Sequence, residues 1–138
     1  MKRVCRRQCP ACPFRPTSAP GWLGEYTPHE VVNAAWHGRS FFCHSRTDYA
    51  DPEWRERAER DGQLCRGFLL FRHAMLAPAS ADAAIRAAEA QAVSEAETNP
   101  ASADVMEGTA FVEHHSMPPE KAAAFLHRMH EEGTPCRL

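Results

Sequence analysis

The sequence predicts a small, mainly α single domain whose N-terminal loop is tied down by a four-cysteine metal site. Three observations predict it. Capped stretches with apolar residues at helical spacing recur after residue 27. Before that point Pro10, Pro13, Pro16 and Pro20 interrupt regular structure, and Gly21 and Gly24 add turns. Cys9, Cys12, Cys43 and Cys65 are distributed so that they can join this irregular segment to the helical part. The chain has 138 residues, room for one domain with one modest core. Residues 1–77 form the expected metal-binding core, and 78–138 an alanine-rich helix, a flexible connection and a C-terminal helix.

The first helix is predicted over Pro28 to His37. Thr27-Pro28-His29-Glu30 reads as a capping box with proline at the first helical position, and Gly38 as the stop. Val31, Val32, Ala35 and Trp36 supply its apolar side. Ser40 to His44 follows as a short extended piece. A second helix, Pro52 to Arg60, takes Asp51 as cap and Gly62 as stop; only Trp54 and Ala58 anchor it, so it reads as a surface excursion. The third, Arg66 to Ala77, carries Phe68, Leu69, Leu70, Phe71, Met75 and Leu76 and is the expected central core element. Ser80 is the expected cap of a fourth helix reaching Glu97, rich in alanine and expected to be peripheral or to pack on a partner. Asn99-Pro100 ends it, and 99–110 reads as a flexible connection. The last helix, Pro118 to Glu132 with Gly133 as stop, has a stripe of Ala122, Phe125, Leu126 and Met129 expected to face the core.

The chemistry is carried by the cysteines. No apolar leader or long apolar run is visible, so the chain is expected in the cytoplasm, where thiols stay reduced and disulfides are disfavoured. Metal ligation then explains a Cys-x2-Cys knuckle, Cys9 and Cys12, followed by Cys43 and by Cys65 at a predicted helix N-terminus, where dipole and amides favour the thiolate. Four thiolates on divalent zinc or on an oxidised four-iron cluster leave a charge of about −2. Arg15, Arg46 and Arg66 are placed to balance it, and His44 is an alternative ligand or a hydrogen-bond donor to sulfur. The occupant is zinc or a [4Fe-4S] cluster: one pair and two singles, with Phe14, Phe41, Phe42 and Phe68 nearby, suits either, with zinc slightly preferred. Cys5-x3-Cys9-x2-Cys12 matches the radical-SAM spacing, but the chain is too short for the barrel that chemistry uses. Cys5 and Cys136 therefore read as free thiols.

The motifs Cys9-Pro10-Ala11-Cys12-Pro13-Phe14-Arg15, Phe42-Cys43-His44-Ser45 and Cys65-Arg66-Gly67-Phe68-Leu69 resemble a family of small uncharacterised actinobacterial and phage proteins. That family's pattern is Cys-x2-Cys-Pro-Trp/Phe-Arg, then Cys-His-Lys/Ser, then Cys-Ala-Gly-Phe. Phe14 stands where tryptophan is usual and Arg66 where alanine is usual. The resemblance covers residues 5–72 and implies that the four cysteines act together in a phage or mobile-element context; it implies no reaction.

Other constellations are weaker. His114, His115, His127 and His130, helped by Glu113 and Glu131, form a candidate second metal group; solvated histidines are the plainer reading. No serine–histidine–acid set and no glycine-rich phosphate loop is present. Trp22, Trp36 and Trp54 are expected to pack. Residues 1–15 carry Lys2, Arg3, Arg6, Arg7 and Arg15 without an acid, although the net charge of the chain is −2. The leading expectation is therefore a non-enzymatic metal-binding or regulatory module acting on host protein or nucleic acid, away from membranes. An iron–sulfur protein with redox or enzymatic work is the alternative, and a nucleic-acid regulator using the basic N-terminus another.

Overall fold

In the computed structural model, which describes residues 3–43, 47–100 and 103–132, a small β junction joins three distant segments. Strand β1 (Arg3–Val4) pairs in parallel with β2 (Gln63–Leu64), and the Cys5 amide extends the pairing to the Leu64 carbonyl at 3.1 Å. The segment 41–43 runs antiparallel to the same residues, with Phe42 bridged to Leu64. Here the Cys43 amide donates to the Gln63 carbonyl and the Cys65 amide to the Phe41 carbonyl, each at 2.8 Å. Backbone hydrogen bonds alone therefore bring Cys5, Cys43 and Cys65 to one place.

The rest of the described structure is mainly helical. Helix α1 (Pro28–Trp36) carries the expected capping box: Thr27 Oγ1 accepts from the Glu30 amide and the Glu30 carboxylate from the Thr27 amide. It stops at Gly38, which takes φ +64° against Ser80, so that an added Cβ would meet the Ser80 side chain at 2.6 Å. Val31 and Ala35 are buried, but Trp36 is 47% exposed rather than packed. Helix α2 (Trp54–Asp61) begins two residues later than the sequence suggests. Asp51 still accepts from the Glu53 amide, and Trp54 and Ala58 anchor the helix. Helix α3 (Arg66–Ala74) is buried on nearly every side and ends where Leu76 adopts φ +57°.

Four further expectations change. Helix α4 (Ala83–Thr98) is capped by Asp82 rather than Ser80, whose hydroxyl instead donates to the Gly38 carbonyl. Nor is α4 peripheral: Ile85, Ala88 and Ala92 close a core with Leu64, Leu69 and Leu70 of β2 and α3. Its alanines let the two helices approach closely, so little side-chain volume still completes a core. Helix α5 (Gly108–His115) occupies part of the stretch read as flexible and continues past it, with Glu107 accepting from the Thr109 and Ala110 amides. Helix α6 (Pro119–Glu131) forms as expected, yet buries none of its residues. Phe125 meets the edge of His114 at 5.0 Å and Leu126 stays exposed, because α5 already fills the place the stripe was expected to take. No helix among the described residues is long and apolar enough to cross a membrane.

Two devices seat the proline-rich loop on this framework. One is Phe14, fully buried, whose ring contacts Phe41, Phe68, Phe71 and Phe111 at centroid distances of 4.9–5.9 Å. The other is the histidine pair ending α5. His115 Nε2–H donates to the Pro13 carbonyl at 2.7 Å while its Nδ1 accepts from the Gly21 amide at 2.9 Å. His114 Nε2–H donates to the Ser18 carbonyl at 2.7 Å. Both rings are buried and satisfied, not solvated.

Phe14→Ala should destabilise the fold by about 3–5 kcal/mol, read by urea unfolding. A loss below about 1 kcal/mol would remove Phe14 from the centre of the core. Burial holds His114 below its ordinary pKa, with the Ser18 carbonyl partly offsetting it. The unfolded chain therefore binds the proton first as pH falls. The stability tied to neutral His114 is complete above about pH 6.5 and is lost as pH falls through the lower folded value. Thermal melts across this range should show a decline that is shallower in His114→Gln; identical slopes would contradict the linkage.

Candidate metal centre

The knuckle is a tight turn in which the Cys12 amide donates to the Cys9 carbonyl at 3.1 Å. Arg15 braces it from outside: Nε donates to the Cys9 carbonyl at 2.8 Å, and the guanidinium pairs with Asp104 at 3.6 Å. Gln8 fixes the same turn from the other side, exchanging two hydrogen bonds with the Asp104 backbone at 2.8 and 2.9 Å. With the knuckle held, Cys12 lies over the first turn of α3. Gly67 is required there for space: a Cβ would collide with the Cys12 sulfur and crowd the Phe14 ring at 3.2 Å. This gives the Cys-x-Gly-Phe motif a steric reason.

The structure brings the four sequence-predicted cysteines together and adds a fifth. Cys9 Sγ and Cys43 Sγ are 3.5 Å apart. Cys12 and Cys65 lie close enough that each shifts the ionisation of the other. Cys5, expected to be a bystander, is buried and donates to Gln63 Oε1 at 3.5 Å, and it lies close enough to Cys43 and Cys9 for them to raise its pKa. The Cys5-x3-Cys9 spacing is the signal in the sequence that points to Cys5. All five are free thiols. Among the described residues no set of three or more His, Cys, Asp or Glu side chains forms a ready-made metal cage.

The electrostatics divide the thiols. Burial opposes ionisation of Cys12, but hydrogen bonds from Cys65, Gln8 and the Phe14 amide outweigh it and hold its pKa below the ordinary value. Cys65 is pushed well up, first by donating to Cys12 and then by burial, although the Phe68 amide points at its sulfur. Cys5 is pushed up by its bonds to Cys43 and Cys9 and by burial. Cys12 is thus the acidic member of its pair, with the Cys65 thiol as donor. Amides aimed at two sulfurs are what a metal-bound thiolate needs to offset its charge.

The residues expected to balance charge behave differently. Arg15 works on the knuckle backbone and Asp104. Arg66 is buried, pairs with Glu95 of α4 and reaches the Cys5 carbonyl at 3.4 Å. His44 and Arg46 lie outside the described residues. The candidate second metal group does not assemble: His114 and His115 are committed to the loop, and His127, on the exposed α6, pairs with Glu131 at 3.1 Å. Sequence reasoning also missed Arg72, fully buried, which joins the Ala35 and Pro78 carbonyls and Glu89.

No protein-family model, curated protein or solved structure matches the chain.

Gly67→Ala should cost about 1–3 kcal/mol in urea unfolding by overpacking the Cys12 site, and the thiols should react faster with an aromatic disulfide reagent. Unchanged stability and reactivity would mean that α3 does not crowd Cys12.

Proposed function

We propose that the chain is a small metal-stabilised binding module in which Cys9, Cys12, Cys43 and Cys65 hold one zinc ion as a structural centre. The observation that carries this reading is the meeting of thiols from three separate segments, with the Cys9 and Cys43 sulfurs 3.5 Å apart. Zinc–sulfur bonds of about 2.3 Å in a tetrahedron set sulfurs about 3.8 Å apart, close to the Cys9–Cys43 separation. A four-iron cube spreads its thiolates more widely, since each binds a different iron. Four protein ligands would leave no open position for substrate, which favours a structural role over catalysis. The motif resemblance extends the reading to a module of phage or mobile-element origin acting on host protein or nucleic acid. The aromatic jacket favours the second reading, an iron–sulfur protein: Cys12 and Cys65 pack in one cluster with Phe14, Phe41 and Phe68, which would shield a cluster from water.

Metal analysis of anaerobically purified protein separates the two. One zinc per chain in a colourless sample is expected; a brown sample with visible absorption supports the cluster, and no stoichiometric metal defeats both. Cys12→Ser and Cys43→Ser should lose metal and cooperative melting together, because metal affinity in such sites is folding free energy. Cys5→Ser should keep the zinc. A folded, metal-free Cys12→Ser protein would contradict the structural role, and loss of zinc from Cys5→Ser would contradict the ligand set.

A further inference from the structure

The N-terminal arm frames a cleft of about 830 Å³ whose lining includes Cys5 and Cys9. Arg3, Arg6 and Arg7 line it, together with the Cys5–Cys9 stretch, Gln63 from β2 and Gln91 from α4. Arg6 and Arg7 are exposed, and among the described residues the side chains of Arg3, Arg6 and Arg7 form no ion pair. The contrast with the other arginines of the region is chemical. Arg15 is occupied by Asp104 and the knuckle carbonyls, and Arg66 by Glu95 and the Cys5 carbonyl. Three arginines thus line one concavity, and among the described residues none of them is within ion-pair distance of a carboxylate, although Glu95 lies near Arg6.

We propose that this cleft is a binding site for a small phosphate-bearing molecule of nucleotide size. Guanidinium forks match phosphate oxygens in paired hydrogen bonds, and three of them suit a di- or triphosphate better than a single carboxylate. The cleft volume falls in the range of about 300–1,000 Å³ typical of small-ligand sites, which favours a compact ligand over a nucleic-acid strand. Gln63 Oε1 already accepts from the Cys5 thiol and Gln91 Nε2 already donates to Glu95, but a side-chain amide has two donor hydrogens and two acceptor lone pairs, so each can also meet a sugar hydroxyl or base edge. The proposal goes beyond the metal reading and does not rest on it: three cations exceed even the charge of about −2 on a four-thiolate divalent centre.

The test is calorimetric titration of the full chain, as purified, with ADP, with inorganic pyrophosphate and with a short single-stranded DNA. Saturable binding of ADP or pyrophosphate is expected, weakened about tenfold or more in Arg6→Ala/Arg7→Ala and unchanged in Arg55→Ala/Arg60→Ala on α2. Gln91→Glu, an exposed change on α4 that puts a carboxylate on the cleft wall, should weaken binding too and keeps the test decisive if the arginine variant does not fold. Failure of both ADP and pyrophosphate to bind overturns the proposal. So does undiminished binding in the cleft variants, or binding of the DNA alone, which would assign the arm to nucleic acid instead.

Discussion

Burial of the Phe14 ring is the constraint on which the other features rest. Residues 6–27 carry four prolines and form no helix or strand, so they hold their shape by being packed. Phe14 supplies that packing at the point where α3, α5 and the segment before Cys43 meet. Because it lies two residues beyond Cys12, its position in the core also sets the position of the knuckle. Gly67 then decides how close the knuckle comes to α3, and the Phe14 and Phe68 amides decide what Cys12 and Cys65 meet there. The histidines of α5 complete the seating by satisfying backbone groups of the loop that would otherwise be buried without partners.

The β junction makes the complementary contribution. It is only two residues wide, too small to be stable by itself. Its effect is positional: three amides, those of Cys5, Cys43 and Cys65, bond across it, so three cysteines far apart in sequence become neighbours. Helix packing holds it in place from behind, through Leu64 in the core with Leu69, Leu70 and α4. Charge is sorted around this junction. Arg15, Arg66 and Arg72 are drawn inward to carbonyls and carboxylates, where each links two or more segments. The arginines of the arm stay outward and give one face a local positive character that the net charge of the whole chain conceals.

Much of the local structure was legible because its signals are local. The Thr27–Glu30 capping box, the Gly38 and Gly62 stops and the anchoring of α2 by Trp54 and Ala58 depend on neighbours within a few residues. The fates of α4 and α6 were not legible for the opposite reason. An alanine-rich face carries little apolar area, but α3 presents a surface that such a face can approach closely, and α4 becomes core. The stripe of α6 has the better apolar pattern, yet Phe111 of α5 already occupies the cavity beside Phe14. Helix α5 itself was hidden because its short apolar content, chiefly Phe111 and Val112, is too brief for a periodicity to register. Its two histidines resemble surface residues until the loop carbonyls they bond are in view.

The sequence by itself determined the helical character of the chain and the irregularity of its proline-rich N-terminal loop, and it singled out Cys9, Cys12, Cys43 and Cys65 as candidates, since proline, capping residues and cysteine spacing act through local geometry and elementary thiol chemistry. The tertiary structure alone decided that Cys5 joins those thiols, that Arg15 and Arg66 brace backbone rather than face sulfur, and that the remaining arginines of the arm line a cleft. These outcomes depend on which distant segments share a hydrogen bond or a wall, and nothing within a few residues of Cys5, Arg15 or Arg66 encodes the identity of a partner up to ninety residues away.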